Sequence, residues 1–134
     1  MTQQDLMHMT VVHYHTVNEQ MLNINGTLFG GTAMGWMDNA GHELSIALTG
    51  KTMYTFTVDK IKFIKPVFLH ETVEVLAQPF ELGPVKLVLQ VTITADPNGP
   101  NRRTAITGLF TFVQVDEQYR PHRIQYRQET EGIC

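Results

Sequence analysis

Serine and cysteine, the commonest nucleophiles of hydrolases, are nearly missing from this sequence. Cysteine occurs once, as the final residue Cys134, which excludes an intramolecular disulfide and any Cys-x-x-Cys or zinc cluster. Serine also occurs once, at Ser45 within Glu43-Leu44-Ser45-Ile46-Ala47, and no G-x-S-x-G elbow surrounds it. A hydrolase built on this chain is expected to attack with activated water or a carboxylate. Charge of one sign is scarce too. Lys+Arg 10 against Asp+Glu 13 leaves −3 at pH 7, no electrostatic footprint for nucleic acid or an anionic membrane. No apolar run approaches the ~18–20 residues of a membrane helix. The polar stretch Met1 to Met9 has no apolar signal-peptide core, so a cytoplasmic address is the expectation. Repeats, low-complexity tracts and linkers are absent. What is present, 134 residues of which 43% are hydrophobic, suits one domain over residues 1–134.

Hydrophobic periodicity divides the chain. Residues 1–8 and 126–134 are polar and read as loose ends. Met9 to Val17 reads as a strand and Asn18 to Gly31, rich in Asn and Gly, as a loop. From Thr32 the period changes: Ala33, Met37, Ala40, Leu44 and Ala47 step by 4, 3, 4 and 3, one face of a helix that Gly50 would end. Trp36, Ile46 and Leu48 widen the apolar surface, so the helix is expected to be buried on most sides. Gly35 and Gly41 inside it suggest close approach of another backbone.

Everything beyond Lys51 alternates as strand and turn. Tyr54, Phe56 and Val58 share a face, which swaps to Ile61 and Phe63, so a β-bulge is expected near Asp59 or Lys60. Val73, Val75 and Ala77 form a strand bounded by Pro79, and Val85 to Ala95 is the cleanest period-2 run. Asp96-Pro97-Asn98-Gly99-Pro100 is a dense turn signal before a last strand, Ala105 to Val115. One helix with about five strands predicts an α+β fold, an antiparallel sheet wrapped around one long central helix. The outer sheet face, with Tyr54, Val88 and Phe110 or their neighbours, would be partly bare and favour self-association.

Three features carry candidate chemistry. Asn23-Ile24-Asn25-Gly26-Thr27-Leu28-Phe29-Gly30-Gly31 runs into the helix, so N–H groups at a positive dipole end are open to an anion or a developing oxyanion. A glycine turn with no ligand is the plainer reading. Asp38 lies eight residues past Gly30, roughly 12 Å along a helix. Apolar neighbours would make it a base, whereas a solvated Asp38 would pair with His42 at i+4. At 12 Å, Asp38 and Gly30 of one helix cannot hold the same small group, so joint action calls for two subunits. His13 and His15 share a strand face without a third metal ligand, and His42-Glu43 lacks the second histidine of H-E-x-x-H, so no metal is expected. Lys60, Lys62, Lys65, Arg102 and Arg103 read as solvated faces, with phosphate contact the minority option.

Together these residues resemble the hotdog-fold superfamily, in particular its bacterial acyl-CoA thioesterase branch. The resemblance spans roughly residues 9 to 122. It rests on Asn23-x-Asn25-Gly26-x-x-x-Gly30-Gly31, then Met37-Asp38-x-Ala40-Gly41, then Thr57-Val58-Asp59-x-Ile61-x-Phe63-x-x-Pro66-Val67. It implies Asp38 as general base or nucleophile, Gly30 with Gly31 as backbone donors to the thioester carbonyl, and Asn23 as a positioning residue. Phe29 stands where some relatives carry histidine, and Thr55 or Thr57 is a polar neighbour of the site. Lys62, Lys65 and Arg103 are the candidate CoA-phosphate contacts. The implied partners are an acyl-CoA substrate and a second copy of the chain, in a homodimer that assembles further to a tetramer or hexamer, with no cofactor beyond the substrate's own CoA. Hotdog dehydratases place a histidine in the loop entering the helix, and residues 18–31 contain none. A non-catalytic acyl-CoA sensor is the alternative of another class. A regulator would usually carry a basic DNA-binding segment, which neither end supplies.

Overall fold

The computed structural model describes residues 2–127, so Cys134 lies outside the described residues. A short helix α1 (Gln3–Met7) precedes strand β1 (Val11–Thr16), and the long helix α2 (Gly30–Thr49) follows a loop with one 3-10 turn at Glu19–Met21. Strands β2 (Tyr54–Phe63), β3 (Thr72–Leu82), β4 (Leu87–Ala95), β5 (Arg103–Val115) and the two-residue β6 (Pro121–His122) complete the order. All pairings are antiparallel, and the sheet runs β1-β3-β4-β5-β2 with β6 added to β5. The chain therefore crosses the whole sheet between β2 and β3, leaving β2 at one edge and β1 at the other.

The core forms where α2 lies against the concave sheet. Ala33, Met37, Ala40, Leu44 and Leu48 are fully buried, as are Val73, Val75, Ala77, Leu89, Val91, Ile93 and Phe112 opposite them. Each large side chain so buried stabilises by about 1.5–3 kcal/mol relative to exposure. α2 ends as the sequence predicts, with Gly50 at φ 69 donating to the Ile46 carbonyl. Its solvent side is wider than expected, because Ile46 is exposed and Ala47 only half-buried. Of the two helical glycines, Gly35 faces open space, while a Cβ at Gly41 would sit 3.1 Å from the Phe112 ring, a side chain and not a backbone.

Two strand expectations need correction, and a third is met and extended. Pro79 does not bound β3. It pairs with Leu89 inside the strand, beside a register shift that leaves Phe80 out. It is tolerated because β1 pairs only as far as Ala77, so that edge needs no N–H there. Phe110 is buried and belongs to the helix side with Ile106 and Phe112, not to a bare outer face. β2 bends twice: the bulge expected near Asp59 is there, with Lys60 at φ 53, and an earlier one lies between Thr55 and Thr57. The ends of the described residues 2–127 are tied as well. A capping box between Thr2 and Asp5 starts α1, whose Leu6 is buried. The Tyr126 hydroxyl donates to the Gly83 carbonyl at 2.7 Å, and Arg127 donates to the Ala47 and Leu48 carbonyls at the end of α2.

Candidate active site

The loop before α2 is shaped by one asparagine. Asn23 Oδ1 accepts the N–H groups of Asn25 (2.9 Å) and Thr27 (3.1 Å), and its Nδ2 donates to Thr27 Oγ1 (3.0 Å). Gly26 takes the tight position at φ 78. Two backbone bonds pin the loop's end: Leu28 N–H to the Val67 carbonyl (2.8 Å) and Phe29 N–H to the Met21 carbonyl (2.7 Å). The loop thus delivers Gly30 to the first position of α2 with a fixed approach.

That helix start is uncapped. Phe29 holds the cap position but has no side-chain acceptor, and the first turn contains no acidic residue. The first bond back to the cap is Ala33 N–H to the Phe29 carbonyl. Among the described residues the N–H groups of Gly30, Gly31 and Thr32 find no acceptor, so they keep the positive end of α2 available to an incoming oxygen. Gly30 opens onto a cleft of about 340 Å³ lined also by Asn23, Leu28, Phe63, Lys65 and Val67. Three of the sequence candidates, Asn23, Gly30 and Lys65, therefore meet in one cleft. Gly31 is the residue that fits beside Phe29, since a Cβ there would lie 2.5 Å from the Phe29 ring.

Asp38 is elsewhere. It sits half-buried two turns down α2 and is absent from the cleft lining. Its Oδ1 accepts a 2.7 Å hydrogen bond from Thr55 Oγ1 on β2. Thr57, one face further on, donates to Asp59 instead. This selects Thr55 as the polar neighbour of Asp38. The His42 pairing is not made. That ring lies edge-on to Phe112 with centroids 5.7 Å apart.

The basic candidates do not converge. Lys62 lines a separate hollow of about 250 Å³ with Lys60 and Phe80. Both Nη atoms of Arg103 are taken up internally, by the Glu71 carboxylate and by the Asn101 and Pro66 carbonyls, which leaves no free fork for a phosphate. This pairing holds Glu71 below the usual carboxylate range. It was not legible in the sequence, because Glu71 and Arg103 are 32 residues apart and only the β3–β4–β5 arrangement brings them together. The β1 histidines find aromatic and acidic partners: His13 Nε2 contacts Glu43, and His15 stacks on Trp36 at 4.2 Å and 3°. Burial, and then the neighbouring His13, lower the pKa of His15. No group of three or more His, Cys, Asp or Glu positioned for a metal occurs among the described residues.

Residues 25–100 match the thioesterase superfamily, more than half of the chain. The chain belongs to that superfamily. An uncharacterized acyl-CoA thioester hydrolase of Haemophilus influenzae is 30% identical over 107 residues, covering 76% of this chain and 69% of the relative. The acyl-CoA thioester hydrolase YciA of Escherichia coli is 27% identical over 107 residues, covering 76% of this chain and 80% of its own. The crystal structure of a hexameric thioesterase from Yersinia pestis superposes with a TM-score of 0.76 at 25% identity, over 85% of this chain and 93% of that one. The sheet around one helix is thus the hotdog fold, and this superfamily member carries it with six strands where about five were expected. No helix among the described residues is long and apolar enough to cross a membrane.

Proposed function

We propose that this chain, as one hotdog domain, hydrolyses an acyl-CoA thioester to a free acid and CoA, at a site shared by two copies. The observation that carries the reading is the split on α2. Unsatisfied N–H groups at Gly30 open onto a cleft, while the α2 carboxylate Asp38, held by the Thr55 hydroxyl, lies roughly 12 Å further along the same helix. A second copy must bring its Asp38 to this cleft. The edge strand β2 supports such pairing: nearly all of its ten residues are exposed, including Tyr54, Phe56 and Phe63. An exposed edge with an apolar surface favours a second chain. Hexamers, as in the Yersinia pestis thioesterase, or tetramers would then be built from such dimers.

In this mechanism Asp38 of one subunit takes a proton from water as the hydroxide attacks the acyl carbon lodged by Gly30 of the other. The carbonyl oxygen gains charge and is held by the free N–H groups. The C–S bond then breaks, and CoA leaves as a thiolate that is protonated to the thiol. If Asp38 attacks directly, an acyl-Asp38 anhydride forms first and water then opens it. Asn23 positions the loop, Phe29 precedes the donors Gly30 and Gly31, and Lys65 is the basic residue placed to meet the CoA side of the substrate. Water is the sole co-reactant, and the proposed steps use only this chain's own groups. The reading places the protein in the cytoplasm, with CoA esters.

CoA release across short, medium, long and aromatic acyl-CoAs tests the function, and solution mass tests the assembly. Asp38→Asn keeps the oxygen that accepts from Thr55 and removes the base, so kcat should fall ~10²–10⁴-fold with the fold intact. Retained turnover in both Asp38→Asn and Asp38→Ala sinks the mechanism. Tight acyl-CoA binding without CoA release would favour a binding module. Single turnover in heavy-oxygen water tests for the nucleophile, since label enters Asp38 only when water opens an acyl-Asp38 anhydride at the Asp38 carbonyl.

A further inference from the structure

One wall of the Gly30 cleft is the segment Phe63 to Val67, which connects β2 to the crossover. Both of its ends hang from the start of β5. At one end the Ile64 and Lys65 N–H groups donate to the Ala105 carbonyl (2.7 and 3.2 Å). At the other end Arg103 Nη2 donates to the Pro66 carbonyl (2.8 Å) while the same guanidinium grips Glu71 with both Nη atoms (2.6 and 2.9 Å). Glu71 in turn accepts the Phe68 N–H at 2.8 Å, which closes the turn 68–71. His70 sits there at φ 70, in the left-handed region that few residues other than glycine adopt.

The wall and the donor loop are joined. Leu28 N–H bonds the Val67 carbonyl, and Thr27 bridges to Phe68. Leu28 precedes Phe29 and Gly30. A chain of direct bonds therefore runs from the Glu71–Arg103 pair through Pro66 to Phe68, into Leu28, and to the first free N–H of α2. The pair is well suited to hold it. The two side chains are only 20% and 21% exposed, and a planar fork meets a carboxylate bidentately while a third bond reaches a carbonyl. Lysine has no such planar fork.

We infer that Glu71 and Arg103 are positioning residues for hydrolysis: they act at a distance, fixing the cleft wall and, through Leu28, the Gly30 donors. This rests on the proposed acyl-CoA thioesterase reading. It also converts Arg103 from a candidate CoA contact to a residue that touches no substrate. Donor geometry matters most once charge has developed, so loss of the brace lowers kcat with little change in KM. A misplacement near 1 Å costs up to about 10²-fold.

The test uses Arg103→Lys and Glu71→Gln in the full chain, with two readouts taken well below Tm. Steady-state hydrolysis should show kcat at least tenfold lower in both variants, KM within about threefold, and unchanged KM for Arg103→Lys with substrates of different acyl length. Hydrogen exchange should show the Leu28 amide exchanging at least tenfold faster, with the amides of Leu89 and Val91 in β4 unaltered. Wild-type kcat in Arg103→Lys overturns the inference, whatever the exchange shows. So does a tenfold rise in KM at constant kcat, which would return Arg103 to the substrate. If the wild-type chain itself releases no CoA, the thioesterase reading fails, and unchanged Leu28 exchange then overturns the brace on its own evidence.

Discussion

Replacing Gly30 by proline removes one hydrogen-bond donor with little else. Gly30 is the first residue of α2, the position where proline is best tolerated because its N–H is unused by the helix. The residue before a proline must be extended, and Phe29 already is, at φ −66 and ψ 129. The new ring's Cβ would meet the Phe63 ring at 3.3 Å, and that exposed side chain can yield. Thermal stability should therefore stay close to wild type. Activity should not. An oxyanion donor contributes a factor of about 10²–10³ in kcat, or ~2.7–4 kcal/mol. Asp38→Asn should be at least as impaired, from the other end of the site. Co-refolding the two variants in equal amounts then distinguishes a shared site from one contained in a single chain. Random pairing makes half the dimers mixed. Each mixed dimer has one doubly damaged site and one intact site, so the mixture should recover about a quarter of wild-type CoA release, far above either parent. Two results refute the reasoning. Gly30→Pro within about fivefold of wild type removes the donor role of that N–H. A mixture no better than its parents means that Asp38 and Gly30 do not serve one site across two chains.

Other outcomes follow from single contacts. Thr55→Val removes the hydroxyl that donates to Asp38 and should lower kcat roughly tenfold, the worth of one hydrogen bond to a carboxylate, whereas Thr57→Val should leave kcat unchanged. Steady-state kinetics on both decides it. Gly41→Ala should lower Tm, because a Cβ 3.1 Å from the buried Phe112 ring costs about 1–3 kcal/mol against a helix-propensity gain near 1. Gly35→Ala has open space around it and should not lower Tm. The Arg103 hydrogen bonds hold the Glu71 carboxyl below its usual range. The stability it contributes is thus full above the unfolded value of about 4.3 and is lost as pH falls through the lower folded value. The Tm gap between wild type and Arg103→Gln should shrink as pH drops from neutral to ~3; a gap independent of pH counts against the pairing.

How far the sequence could be read depended on the range of the interaction involved. Helix α2, its stop at Gly50 and the alternation of Val73 to Ala77 and Leu87 to Ala95 were legible, because period and turn chemistry are set by near neighbours. Pro79 misled for the same reason: by local rules it ends a strand, but only the register shows that its missing N–H faces an edge β1 does not reach. The Asn23 to Gly31 loop was legible as a helix entry, and Asp38 as a carboxylate 12 Å away, since helical rise converts spacing into distance.

Which groups Asp38 and Arg103 meet was decided only in three dimensions. His42, one turn along, was the local candidate for Asp38, but the partner is Thr55, set by the packing of β2 beside α2. Arg103 looked like a free cation until the crossover from β2 to β3 carried Glu71 and the Pro66 carbonyl to it across the sheet. The amino-acid sequence by itself determined the elements, the near absence of serine and cysteine, and the separation of Asp38 from the Gly30 N–H groups along one helix. Tertiary structure decided the strand order, the uncapped cleft at Gly30 and the brace behind it. Those depend on bonds between residues tens of positions apart, whose partners no local pattern specifies.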